Sequence, residues 1–175
     1  MTHIISHRGG ALLWPENSRV AFENTAKLPV AQVEFDVHFS ADNRLVVIHD
    51  ATLDRTTDGT GPVVAQTWAA LSKLVLRGTG GQRMLLLDEV IELFRPTSLG
   101  LRIEIKPGPG RVPYPGLPQR VAETLREQRM LERSVITSFQ LGTVCEAVSF
   151  AMPSMHAWLV TPDVQTDLGL PAVCA

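Results

Sequence analysis

The sequence is short of everything that would suit a strongly charged or membranous partner. Its 16 Lys and Arg residues are matched by 18 Asp and Glu residues, for a net charge of −2. No basic run or stripe stands out, so nucleic acid is not an expected partner. Cysteine is scarce: Cys145 and Cys174 match no zinc or redox spacing and read as free thiols. No apolar segment approaches the roughly 20 residues that cross a bilayer, so no membrane span is expected. The N-terminus lacks a basic region followed by an apolar stretch, and the expectation is a cytoplasmic protein without a secretory signal. Internal repeats and low-complexity stretches are missing. Gly78-Thr79-Gly80-Gly81 lacks the strand-to-helix context of a phosphate loop.

What is present is apolar material, 45% of 175 residues. That supplies one sizeable core and too little chain for two ordinary domains, so residues 1–175 read as a single domain. The most informative stretch is Val33-Glu34-Phe35-Asp36-Val37, which alternates strictly and reads as a β-strand. Val33, Phe35, Val37 and Phe39 take one face, and Glu34 and Asp36 take the other. Carboxylates two residues apart on a strand lie about 6.6 Å apart at the backbone, and their side chains can converge on one hard cation. The competing reading is a solvated edge of an antiparallel sheet.

Three further segments weigh against that alternative. Ile4–Gly10 is an apolar run ending in His7-Arg8 and two glycines, and Leu45–Asp50 is another ending in His49-Asp50. Leu101–Lys106 alternates again, with Glu104 and Lys106 on one face. Four predicted strands thus carry ionisable groups at or near their C-terminal ends, where a (β/α) barrel assembles its active site.

The pattern predicts strands at 3–8, 32–39, 45–49, 101–106, 134–138 and about 156–160. The short link Ser40–Asn43 suggests a hairpin before 45–49 rather than a helical crossover. Helices are predicted after Pro15–Ser18, with Asn17 or Ser18 as N-cap, and at about 68–74, 87–94, 119–130 and 140–148. Residues 161–175 read as a loop and the start of a helix.

With these motifs in view, the chain resembles the glycerophosphodiester phosphodiesterases, which share a barrel superfamily with the phosphatidylinositol-specific phospholipases C. The matching motifs are His7-Arg8-Gly9, Pro15-Glu16-Asn17, Glu34–Val37, Val47–Asp50, Leu53–Thr57 with Gly59 and Gly61, Ile103–Lys106 and Ser138-Phe139. They keep their order over roughly residues 3–160. The resemblance implies an α/β fold of TIM (β/α)8 barrel type and metal-dependent hydrolysis of glycerophosphodiesters to an alcohol and sn-glycerol 3-phosphate.

Residue chemistry assigns roles that agree with this resemblance. Glu34, Asp36 and Glu104 form an oxygen-only set suited to Mg²⁺ or Ca²⁺ rather than zinc. His7 and His49 are the acid/base pair, because imidazole titrates near neutrality. Arg8 and Lys106 can hold phosphate oxygens. Arg8 can equally pair with Glu16 or Asp36, and Lys106 can neutralise Glu104. Glu16 and Asn17, in the first strand-helix loop, can touch substrate or cap the helix. Asp50 and Arg55-Thr56-Thr57 read as loop organisers, and His3 and His156 as structural. His38 shares the parity of Glu34 and Asp36, with no match behind a catalytic role.

A complete barrel of this type needs about 250 residues, and about six of its eight strands are countable here. The expectation is a domain whose C-terminal part is missing. Either a longer parent chain supplies the rest, or copies self-associate through the open edge near Ile4, Ile5, Trp158 and Val160. Two other readings compete with this one: a lysophospholipase D or phospholipase C-like enzyme acting on lipid, and a non-catalytic remnant.

Overall fold

The computed structural model describes residues 3–150 and 156–167. Its strands are β1 (Ile5–Ser6), β2 (Gln32–Phe39), β3 (Leu45–Val47), β4 (Leu85–Leu86), β5 (Gly100–Ile105), β6 (Ser134–Ser138) and β7 (His156–Trp158). The helices are α1 (Arg19–Thr25), α2 (Trp68–Leu71), α3 (Leu87–Phe94), α4 (Leu117–Glu127), α5 (Leu141–Val148) and α6 (Pro162–Asp167). β1, β2, β5, β6 and β7 run parallel, whereas β3 and β4 are antiparallel. The parallel strands with intervening helices follow the expected TIM-barrel pattern. Among the described residues β1 and β7 do not pair, so the sheet is an open arc.

Three expectations change. The strand expected at 45–49 is shorter, although it forms the expected hairpin with β2, so the six expected strands become five parallel strands plus a hairpin arm. β4 was not anticipated, because Met84–Leu87 runs without a break into the helical periodicity of α3. His7 lies in a single 3₁₀ turn, His7–Gly9, just past a strand of two residues rather than inside one. Cys174 and the expected ending at 168–175 lie outside the described residues.

The local reasons for these elements are visible. Ser18 caps α1, its Oγ accepting from the Ala21 N–H at 3.2 Å. Asp88 and Glu89 occupy the first turn of α3, where negative charge suits the helix dipole, and Glu89 accepts from the Leu86 N–H at 2.9 Å. One face of β2 and β5 — Val33, Phe35, Val37, Leu101, Ile103 and Ile105 — packs under the helices. Phe22 of α1 meets Phe35 and Phe94 edge-on, with centroids 5.7 and 5.9 Å away. A second, smaller core of Val46, Ile48, Leu53, Val63, Leu71 and Met84 supports the hairpin arm.

β2 is long enough to share one edge between two partners. Gln32 and Val33 pair with β1, whereas Val37, His38 and Phe39 pair with β3. β1 and β3 run in opposite directions, so they point at each other along that edge. The residues that follow each strand, His7 and His49, are thereby directed to the same place.

Candidate active site

The inner face of β2 and β5 carries the charged residues. Asp36 is in register with Glu104, and Glu34 with Arg102. Glu34, Asp36 and Glu104 each offer an oxygen within 4.8 Å of the other two, and all three are buried. Glu34 Oε1 and Asp36 Oδ1 have no hydrogen-bond partner. Lys106 Nζ donates to Glu104 Oε1 at 2.5 Å. It also stands 3.3 Å from Asp36 Oδ1, within ion-pair range but without hydrogen-bond geometry. Burial, and after it the Asp36 charge, raises the Glu34 pKa to about 8, and burial raises that of Glu104 as well. Buried carboxylates with orphaned oxygens are unfavourable unless something neutralises them. An oxygen-only set with two unpartnered atoms fits a hard divalent cation.

Arg8 adopts a left-handed backbone, φ 49°. Its N–H donates to Glu34 Oε2 at 2.8 Å, and its guanidinium lies 3.2 Å from Glu16 and 3.7 Å from Asp36. Both alternative partners of Arg8 are therefore engaged, as is the Lys106–Glu104 pair. Arg55 also binds Glu16, through bonds of 2.7 and 2.9 Å. Burial works against the ionised form of Glu16, but Arg55 and Arg8 hold its carboxyl below the usual range. Asn17 does not cap α1. It adopts φ 52° and donates Nδ2–H to Asp36 Oδ2 at 2.9 Å.

His7 Nε2 lies 3.9 Å from Glu34 Oε2. Partial burial and the adjacent Arg8 lower its pKa, so the ring is mainly neutral near pH 7. His49 Nδ1 sits 2.6 Å from Asp50 Oδ1, so Asp50 touches His49 as well as its loop partner Arg55. Hydrogen bonds from Arg55, chiefly, keep Asp50 ionised. Behind His49 stands His38, fully buried on β2. Its Nε2 is 3.0 Å from the His49 carbonyl oxygen and its Nδ1 is 3.1 Å from the Tyr114 hydroxyl. Burial lowers the His38 pKa to about 4 and raises that of Tyr114 to about 12.

Two adjoining cavities, of about 690 and 600 Å³, share His49, Glu104, Lys106 and Phe139 in their walls. The smaller also takes in His7, Arg8 and Glu34. The larger extends under the loop Pro107–Arg111. His7, Arg8, Glu34, His49, Glu104 and Lys106 thus line one region, Asp36 lies buried beside it, and Glu16, bound by Arg8 and Arg55, lines a separate cavity. The contacts that Asp50, His38 and Tyr114 make here were missed from the sequence. For His38 the signal was its parity with Glu34 and Asp36. For Asp50 it was the position next to His49. Tyr114 carried none.

The glycerophosphoryl diester phosphodiesterase family model matches residues 7–155. A glycerophosphodiester phosphodiesterase of Caldanaerobacter subterraneus subsp. tengcongensis is 38% identical over 143 residues, covering 79% of this chain and 58% of that protein. One from Bacillus altitudinis is 34% identical, covering 100% of this chain and 74% of that protein. The chain therefore spans between about half and three quarters of the length of these relatives. Among solved structures, a candidate glycerophosphoryl diester phosphodiesterase from Agrobacterium tumefaciens superposes with a TM-score of 0.92 at 38% identity, covering 97% of this chain and 68% of that one. An Oleispira antarctica phosphodiesterase in complex with the product sn-glycerol-3-phosphate superposes with a TM-score of 0.76 at 25% identity, covering 97% of this chain and 71% of that one.

Proposed function

Because the chain belongs to the glycerophosphoryl diester phosphodiesterase family, we propose that it hydrolyses glycerophosphodiesters to a free alcohol and sn-glycerol 3-phosphate. The observation that carries this reading is that Glu34 and Glu104, which form a buried triad with Asp36, line the same cavity as His7 and His49. The names of the relatives and the product held by the Oleispira structure support the same substrate class.

Glu34, Asp36 and Glu104 would hold a divalent cation, Mg²⁺ or Ca²⁺, which would supply charge stabilisation to a phosphodiester oxygen. Arg8 and Lys106 bind the remaining anionic oxygens, and Glu16 acts on substrate through the Arg8 guanidinium that it anchors. Neutral His7 accepts a proton from the attacking water as its oxygen forms the new O–P bond. His49, backed by Asp50, gives a proton to the departing alkoxide as its P–O bond breaks. One water is consumed: its oxygen ends on phosphorus and the alcohol gains a proton.

A lipid-directed second reading draws on one observation. Leu12 and Leu13 after β1, Val112 after β5, and Phe139 and Leu141 after β6 are all exposed, and all follow the C-terminal ends of the parallel strands. That rim would suit an acyl chain.

The test is choline or ethanolamine release from the corresponding glycerophosphodiesters, with and without EDTA. Turnover should stop with EDTA and return with Mg²⁺ or Ca²⁺. His7→Ala and His49→Ala should each lower it by about 10²–10⁴-fold. Turnover indifferent to EDTA, or near-normal rates in both variants, would overturn the mechanism. Faster turnover of a lysophospholipid than of its deacylated counterpart would favour the second reading.

A further inference from the structure

The geometry points to His38 and Tyr114 as positioning residues that fix the main chain of His49, and so tie the acid/base histidine to the wall of the neighbouring cavity. The inference rests on the reading of His49 as an acid/base group.

Donor and acceptor roles follow from the atoms involved. The His49 carbonyl oxygen can only accept, so His38 Nε2, 3.0 Å away, carries the hydrogen. In the tautomer that places the ring hydrogen on Nε2, Nδ1 is the acceptor. The Tyr114 hydroxyl, 3.1 Å from Nδ1, therefore donates. The chain of bonds has one direction: Tyr114 O–H to His38 Nδ1, then His38 Nε2–H to the His49 carbonyl. A one-tautomer lock of this kind is rigid, because reversing either bond would leave a buried polar atom unpaired.

The facing groups leave the ring no other partner of comparable quality. Around His38, Asp36 and Lys106 act only through longer-range charge, and the Tyr114 ring packs perpendicular to the imidazole at 5.7 Å. Phe39 meets the Tyr114 ring at 6.1 Å. On the other side of Tyr114 lies the loop that roofs the larger cavity. A Cβ at Gly108 would come within 3.0 Å of Tyr114 Cζ, so this glycine allows the loop to sit flush on the ring. Asp50 orients the His49 side chain through Nδ1, and His38 holds the same residue through its backbone. A catalytic ring held at only one of these two points would sample more positions, and small misplacements of a reacting group are costly in rate.

The test is a double-mutant cycle on glycerophosphodiester turnover. His38→Leu should lower kcat at least about tenfold with KM changed less than about twofold, because the variant removes positioning and not substrate contact. Tyr114→Phe, a milder change, should lower kcat in the same direction by less. His38→Gln, which keeps an amide donor, should recover part of the loss. In a His49→Ala background, His38→Leu should cost nothing further. An equal loss in both backgrounds would mark His38 as merely structural, and full activity of His38→Leu would overturn the proposal. If the wild-type chain turns over no glycerophosphodiester, the functional reading fails and this one is judged by NMR. The His49 ring ¹⁵N shifts should then move in both His38→Leu and Tyr114→Phe, and unchanged shifts would overturn it.

Discussion

On β2, Val33, Phe35 and Val37 face the helices, and Glu34, Asp36 and His38 face the barrel interior. All six are buried. The first three make the contacts a core makes, among them the edge-on packing of Phe35 against Phe22. The second three include two buried carboxylate oxygens without partners and a carboxyl whose pKa is raised to about 8. Equal burial thus serves opposite ends. The outer face contributes stability, and the inner face gives some up by holding carboxylates without partners. Such a site persists because the surrounding packing is strong enough to impose it.

The comparison breaks most visibly under substitution. Phe35→Ala should destabilise the protein by about 3–5 kcal/mol, the usual cost of emptying a buried aromatic position. Glu34→Gln, its neighbour on the other face, should leave the metal-free protein at pH 8 as stable as the original or more so, because it removes a buried charge. Chemical denaturation of both variants checks the pair, and a large loss in Glu34→Gln would show that the inner face contributes to folding after all.

A smaller effect sharpens the same contrast. The folded pKa of Glu34, about 8, lies above its ordinary value near 4.5. The folded state therefore holds this proton more tightly than the unfolded chain does. The resulting stability is fully present below the ordinary value and is lost as pH rises towards 8. Without metal, the melting temperature of the original protein relative to that of Glu34→Gln should fall by at least about 3 °C between pH 5 and 8, the comparison cancelling the opposite trend of the buried His38, since about 1 kcal/mol moves it by some 2–4 °C in a chain of this size. Saturating Mg²⁺ or Ca²⁺ replaces the proton, so its stabilisation should grow over the same interval. Calorimetric scans across that range would read a pH-independent metal effect as evidence against an ionisable ligand at this position.

Much of this was legible from strict alternation. The pattern at 33–39 and 101–106 separates the two faces correctly, because a strand's period of two leaves no freedom once one face is apolar. The meeting of His7 with His49 was legible only as an expectation that strand ends converge. Its actual cause is that β1 and β3 share one edge of β2 from opposite directions, which depends on a hairpin only three residue pairs long. His38 and Tyr114 were illegible as partners. They are 76 residues apart, and their contact exists only once the Pro/Gly loop folds back over β2. Asn17 looked like a helix cap because Asn often is one. Ser18 takes that place, which frees Asn17 to turn inward to Asp36. β4 was hidden because two strand residues merge into the apolar spacing of α3.

The central claim is that the inner face of β2 and β5 is a cation site. Isothermal titration of Mg²⁺ and of Ca²⁺ into the metal-free protein at pH 8 tests it most directly. The account predicts one ion bound per chain, with binding sharply weakened in Asp36→Ala and in Glu104→Ala while both variants stay folded. No binding by the folded wild-type protein, or binding unchanged in both variants, would contradict it.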